Sequence, residues 1–497
     1  MPPGLPASEP APASVVADGA ALSEQQGERV REILRAYPVA GQLGERFKAA
    51  GFTLALVGGS VRDALLGRLG NDLDFTTDAR PEEILKLVKG WGEAVWDVGI
   101  AFGTVGVRKH DLQIEITTYR SELYDRNSRK PEVSFGDTIE EDLVRRDFTV
   151  NAMAVKLPEV EFVDPHRGLV DLAAGVLRTP GTPEASFSDD PLRMLRAARF
   201  AAQLDFEVAP EVVTAMTEMA DRIEIVSAER IQGELNKILL SPRPRKGLTL
   251  LVDTGLADRV LPELPALRLE RDEHHRHKDV YEHTLTVLEQ AIALEGTGEG
   301  DGKPDLTLRL AALLHDIGKP RTRRFEPGGG VSFHHHELVG AKMTKKRLRE
   351  LKYSNELIAD VSRLVELHLR FHGYGTGEWT DSAVRRYVRD AGPLLDRLHK
   401  LTRSDCTTRN KKKAAALSRI YDGLEQRIGQ LQEQEELDAI RPDLNGDQIM
   451  ALLGIKPGRE VGEAYKFLLE QRLEHGPLGE EAAADMLRQW WDAKRHA

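Results

Sequence analysis

A change of period along the chain limits its fold more than any other feature. From Leu54 to about Val170, short apolar, β-branched runs alternate with turn residues (LALVGG, LDFTT, FGTVGV, LQIEITTY, FTVNAMAV), the pattern of short strands. After Thr179 and Pro180 the apolar residues recur with helical spacing, as in LRMLRAARFAAQL, ERIQGELNKILL and LTLRLAALLHDIG, and this spacing runs to the end. An α+β part followed by a long helical part is therefore expected, with a boundary near residue 178. Since 497 residues exceed what one core serves, roughly two to four domains are expected.

The composition, 41% hydrophobic and 30% charged, is that of a globular protein, and no apolar run is long enough to span a bilayer. The Ala/Pro-rich start has neither a basic beginning nor an apolar core, so it reads as a disordered tail, not a leader. Cys406 is the single cysteine, which suits a reducing compartment, and the cytoplasm is expected. A net charge of −11 argues against indiscriminate coating of nucleic acid, so any RNA contact has to be a local patch. Lys342 to Lys352 and Arg403 to Lys413 are candidates, although solvated helix faces produce the same runs.

Gly58 and Gly59 follow the run LALV and precede Ser60, Val61, Arg62 and Asp63, which reads as a strand entering a tight turn and then a helix. Adjacent glycines let backbone N–H groups approach a phosphate. Asp72 and Asp74 flank one residue, so on a strand both carboxylates share a face and call for a cation, with Mg²⁺ the fitting hard ion. Glu115, between Ile114 and Ile116, projects opposite to those isoleucines and is placed beside the aspartates. Three carboxylates around two metal ions suit activation of a 3′-hydroxyl and departure of pyrophosphate.

The stretch GGSVRDALLGRLGNDLDFTT resembles the active-site motif of the class II tRNA nucleotidyltransferase and bacterial poly(A) polymerase family. The resemblance implies a polymerase-β-like nucleotidyltransferase head, a small mixed sheet with helices, in which Asp72, Asp74 and Glu115 are catalytic and the two aspartates bind Mg²⁺. It implies nucleotide binding by Gly58, Gly59 and Arg62, and by Arg145, Arg146, Asp147 and Asn151 of the RRDFTVNAM stretch, which is similar to the family's ribose and triphosphate motif. Asp125 to Pro131 occupies the place of the family's flexible loop.

Asp189, Asp190, Pro191, Leu192, Arg193, Met194, Leu195 and Arg196 resemble the E-D-x-x-R motif that stands in for a template, with Asp189 where the family has Glu. Asp190 and Arg193 lie three apart on an expected helix and so project together. A carboxylate beside a guanidinium complements the base edges of cytosine and adenine and opposes those of uracil and guanine. Arg196 completes the expected nucleotide-binding set.

The run around Phe102, Gly103, Thr104 and Val105, together with Asp443 to Gly458, looks like CCA-adding members of the family and not poly(A) polymerases. The resemblance thus implies addition of CCA to tRNA from CTP and ATP. Poly(A) addition, CC-only addition and A-only addition are the alternatives.

His283, His315, Asp316, His336, His368 and Asp405 follow in the order of an HD-type metal site, with the HD pair after an apolar helical run. Histidine-rich ligands favour a transition metal. The motif implies phosphohydrolase chemistry on a phosphomonoester or a 2′,3′-cyclic phosphate. An HD phosphohydrolase whose head only binds RNA is a further alternative. The expected order is a tail (1–22), the head (23–178), an all-helical neck carrying the selecting helix (179–268), an HD-type helical domain (269–425) and a helical tRNA-binding tail (426–497).

Overall fold

The computed structural model describes residues 22–495 except 69, 71, 97–99, 101–102, 121–134, 269–278, 297–301, 328–329, 372–379, 408–410 and 436–440. The expected loop at Asp125 to Pro131, Phe102 and the tail up to residue 21 lie outside the described residues.

Seven strands form one mixed sheet: β1 (Leu54–Val57), β2 (Asp72–Thr77), β3 (Ala94–Trp96), β4 (Thr104–Lys109), β5 (Leu112–Thr118), β6 (Ala154–Leu157) and β7 (Glu161–Val163). Their order across the sheet is β3-β4-β5-β2-β1-β6-β7. The pairing of β2 with β5 is parallel and the others are antiparallel. β1 lies near the middle and all four of its residues are buried, as an unbroken apolar run requires. β5 alternates, with Leu112, Ile114 and Ile116 in the core and Gln113 and Glu115 turned to solvent. One face of the sheet is thus core at the very strands whose other face carries the acidic residues.

By its internal contacts the chain divides into two compact units, one made of Met1–Val226 with Lys246–Leu256 and the other of Ser227–Arg245 with Ala257–Ala497. The stretch 179–268 is therefore shared between them. It is also not purely helical. β8 (Val176–Leu177) pairs in parallel with β9 (Glu207–Val208), which brackets the helix Leu192–Leu204 and keeps it within the first unit.

The second unit is a helical assembly. Leu285, Leu288, Leu313, Leu364 and Leu401, from four different helices, are at most 1% exposed and form its core. Helix Leu306–Leu314 is apolar all round apart from Thr307 and Arg309, and it is buried from Leu308 onward. A hairpin of β10 (Arg324–Phe325) and β11 (Val331–Ser332) interrupts the expected run of helices. Towards the C-terminus, Leu444, Ile449, Ala464, Leu468, Ala483 and Leu487 make a small separate core. No described helix is long and apolar enough to cross a membrane.

Candidate active site and metal centre

Gly58 ends β1 in the left-handed region, φ 68°, and opens the helix Gly59–Leu65. A Cβ there would stand 3.1 Å from Arg146 Nη1 and 3.9 Å from Asp74 Oδ2, so glycine is needed both for the turn and for the room. Ser60 Oγ lies 3.2 Å from the Asp72 carbonyl, to which it donates, and 3.2 Å from Asp74 N, from which it accepts, pinning β2 to this helix.

The parallel register sets Asp74 beside Glu115 and Asp72 beside Gln113, so the three carboxylates share one face. Burial pushes the Asp74 carboxyl above its ordinary value, the Arg146 guanidinium opposes that rise, and Glu115 and Asp72 add to it. Like charges gathered on one face, opposed chiefly by a single guanidinium, fit a cation site. Asp72, Asp74, Ser60 and Asp63 line a cleft of about 180 Å³.

Around this cleft the motifs are tied side chain to side chain. Arg62 Nη1 donates to Asn151 Oδ1 (2.6 Å), Asn151 Nδ2 donates to Asp147 Oδ1 (2.9 Å), and Asp147 Oδ2 meets Arg196 Nη2 (2.6 Å). Phe200 receives the guanidinium groups of Arg62, Arg196 and Arg199 at 5.1, 5.9 and 4.1 Å. Asp142 is fully buried, bonds Arg145 (2.6 Å) and Arg146 (3.0 Å), and so aims Arg146 at Asp74. Burial would raise the Asp142 and Asp147 carboxyls, yet the surrounding guanidiniums hold both below their ordinary value.

Asp190 and Arg193 do not share the helix that their spacing predicts. Asp190 sits in extended backbone between helices Pro183–Asp189 and Leu192–Leu204, because Pro191 disfavours helical backbone before it. Its Oδ1 accepts from Leu192 N (3.1 Å), while Arg193 donates to Ser186 Oγ (3.0 Å) and to the Arg145 carbonyl (2.5 Å).

In the second unit the six HD residues converge. Nδ1 of His315, His336 and His368 lies 2.8, 2.8 and 2.7 Å from the carbonyls of Ala312, Phe333 and Val365, which accept its hydrogen bond, so each Nε2 is the atom available to a metal. His283 Nδ1 is 3.0 Å from Thr407 Oγ1. Nε2 of His283 is 2.9 Å from Asp405 Oδ1, and Nε2 of His315 and His336 are each 3.2 Å from Asp316. Two sets of ligand atoms, His283/His315/Asp405 and Asp316/His336/His368, each lie within 4.8 Å.

Lone pairs of imidazoles turned towards carboxylate oxygens are electrostatically sound only around a positive charge, so the donor set fits a metal ion. Burial lowers the His368 pKa to about 4, which favours the neutral, ligating form. For His315 burial acts the same way but is outweighed by Asp316 and Asp405, which raise its pKa. Gly318 permits the closure: a Cβ there would sit 2.1 Å from the His336 carbonyl. Lys319 Nζ donates to Asp316 Oδ2 (2.6 Å).

Three family models match in chain order: "Poly A polymerase head domain" over 54–178, "Probable RNA and SrmB- binding site of polymerase A" over 205–267, and "HD domain" over 280–410. An A-adding tRNA nucleotidyltransferase of Deinococcus radiodurans is 33% identical over 88% of this chain and 95% of its own length. A CCA-adding enzyme of Streptococcus suis is 32% identical over 89% of this chain and 93% of its own. This chain belongs to the tRNA nucleotidyltransferase and poly(A) polymerase family.

In fold it is similar to the Bacillus stearothermophilus CCA-adding enzyme solved with CTP, at a TM-score of 0.62 and 23% identity over 93% of this chain and 99% of that one. Nucleotidyltransferase heads and HD domains in general use divalent metal ions, and among the described residues the second unit offers two groups of side chains that could hold one. Three residues that position the expected site were not singled out in the sequence. Ser60 lies inside the quoted glycine motif, Asp142 stands three and four positions before Arg145 and Arg146, a spacing that signals a helical ion pair, and Lys319 stands three after Asp316.

Proposed function

We propose that this enzyme completes the CCA end of tRNA from CTP and ATP without a nucleic-acid template. The observation that carries the reading is the parallel pairing of Asp74 with Glu115, with Asp72 on the same face beside the Gly58 turn. Asp72 and Asp74 would hold Mg²⁺, with Glu115 beside them. Bound there, Mg²⁺ would supply charge neutralisation at the triphosphate and would lower the pKa of the 3′-hydroxyl. Arg146, held by Asp142, offers its guanidinium to phosphate oxygens. The 3′-oxygen attacks the α-phosphorus, its proton passes to solvent water, and the bond to the β-phosphate oxygen breaks so that pyrophosphate leaves. Arg62, Asn151, Asp147 and Arg196 hold one another in place, so these motif side chains are positioned by the protein itself.

Asp190 and Arg193 are the base-selecting pair in this proposal; the bond from Arg193 to the Arg145 carbonyl supports a place beside the triphosphate motif. The HD centre is a phosphohydrolase for RNA ends, holding a transition metal, as its imidazole-rich ligands favour. The single cysteine keeps the cytoplasm as the compartment of this reading.

A second reading, A-only addition, is favoured by the Deinococcus relative. Incubation with Mg²⁺, single nucleoside triphosphates and tRNA lacking its CCA end, resolved to one nucleotide, separates them. Two additions with CTP and three with CTP plus ATP support CCA addition. Extension only of tRNA already ending in CC, by one adenylate, establishes the A-adding reading, and long tails from ATP alone a poly(A) polymerase.

A further inference from the structure

Between the HD ligands Asp316 and His336 the chain leaves its helices for the β10-β11 hairpin, in which Arg324 faces Ser332 and Phe325 faces Val331. Phe325 is 74% exposed, more than any other large hydrophobic side chain among the described residues. One exposed apolar residue needs no explanation by itself. Here, however, the Arg323 guanidinium lies over the ring at 4.8 Å, and Arg321 and Arg324 are exposed beside it. A ring backed by a cation on one side and open on the other, inside a strip of arginines on a chain of net charge −11, is built for a flat anionic ligand.

The hairpin is also coupled to the metal ligands. The Phe333 carbonyl, just after β11, accepts from His336 Nδ1 (2.8 Å). The Phe333 ring lies under Lys319 Nζ (5.7 Å), and Lys319 holds Asp316 (2.6 Å). Phe325 follows the ligand Asp316 by nine positions, so it stands within at most about 30 Å of it, a reach of a few nucleotides.

We propose that this hairpin is a platform for the end of a single-stranded RNA entering the HD centre, with a base stacked on Phe325 and backbone phosphates on Arg323 and Arg324. The inference rests on the phosphohydrolase reading and narrows its substrate to polynucleotide ends. The test uses the full chain, supplied with Mn²⁺, Co²⁺ or Ni²⁺ in turn, on a short RNA ending in a 2′,3′-cyclic phosphate and on methyl β-ribofuranoside 2,3-cyclic phosphate, which has the same reacting group and no aromatic ring. In Phe325→Ala the preference for RNA, as a ratio of kcat/KM values, falls about tenfold through KM, as the loss of one stacked base predicts, and Phe325→Trp restores it. An unchanged ratio overturns the proposal.

If the unaltered chain hydrolyses neither compound, the phosphohydrolase reading falls, and the platform is judged by crosslinking RNA with a 3′-terminal 4-thiouridine. Adducts on residues 323–325, removed by excess unlabelled RNA and not by polyglutamate, support it. Adducts confined to other segments, or equal displacement by the acidic peptide, overturn it.

Discussion

At the scale of single residues, one glycine and one aspartate govern the sites. Gly318→Ala forces a Cβ to 2.1 Å from the His336 carbonyl, so the helix carrying that ligand has to move. Hydrolysis by the HD centre is expected to drop at least tenfold while nucleotide addition to tRNA stays within twofold, which assays of both activities on one preparation check. Asp142 is buried against two guanidiniums, and Asp142→Asn is expected to cost roughly 3 kcal/mol of head stability and to slow incorporation as Arg146 loses its anchor. Its folded pKa is below the unfolded value of about 3.9, so its contribution is present above that pH and is lost as pH falls through the folded value. Urea midpoints followed from pH 7 to pH 3 are therefore expected to fall less steeply for Asp142→Asn than for the unaltered chain.

At the scale of elements, helix Leu306–Leu314 ties neighbouring segments of the second unit together through its one charged residue. Arg309 is 3% exposed; it bonds both oxygens of Glu295 (2.6 and 2.7 Å) and the carbonyls of Leu239 (2.5 Å) and Ser241 (3.0 Å) at the end of helix Ala228–Leu239. Arg309→Ala strands the buried Glu295 carboxylate and is expected to cost about 3 to 5 kcal/mol, measured by denaturant unfolding. Arg309→Met with Glu295→Leu is expected to recover part of that loss, since no charge is then left unpaired. The strongly periodic helices were legible in the sequence, as were the alternating strands. The two-residue strands β8 to β11 were not, because two residues carry no period, and Asp190 was misplaced because Pro191 breaks the helix that spacing alone extends.

At the scale of the whole molecule, the acidic site and the HD ligands belong to different compact units. Asp74→Ala is expected to lower nucleotide incorporation by about three orders of magnitude or more and spare hydrolysis, and His315→Ala to do the reverse; loss of both activities in either variant contradicts the assignment. The sequence alone determined which chemistry is available: Asp72 and Asp74 share a face because strand period is two, and the glycine, arginine and histidine motifs stand in a recognisable order. Only the tertiary structure decided that Asp74 lies beside Glu115, that the six HD residues from His283 to Asp405 gather in two groups of three, and that Phe325 stays in water. Period and turn chemistry act between neighbours in the chain and are written locally. Register, convergence and exposure are sums over packing between residues tens to more than a hundred positions apart, which no local pattern records.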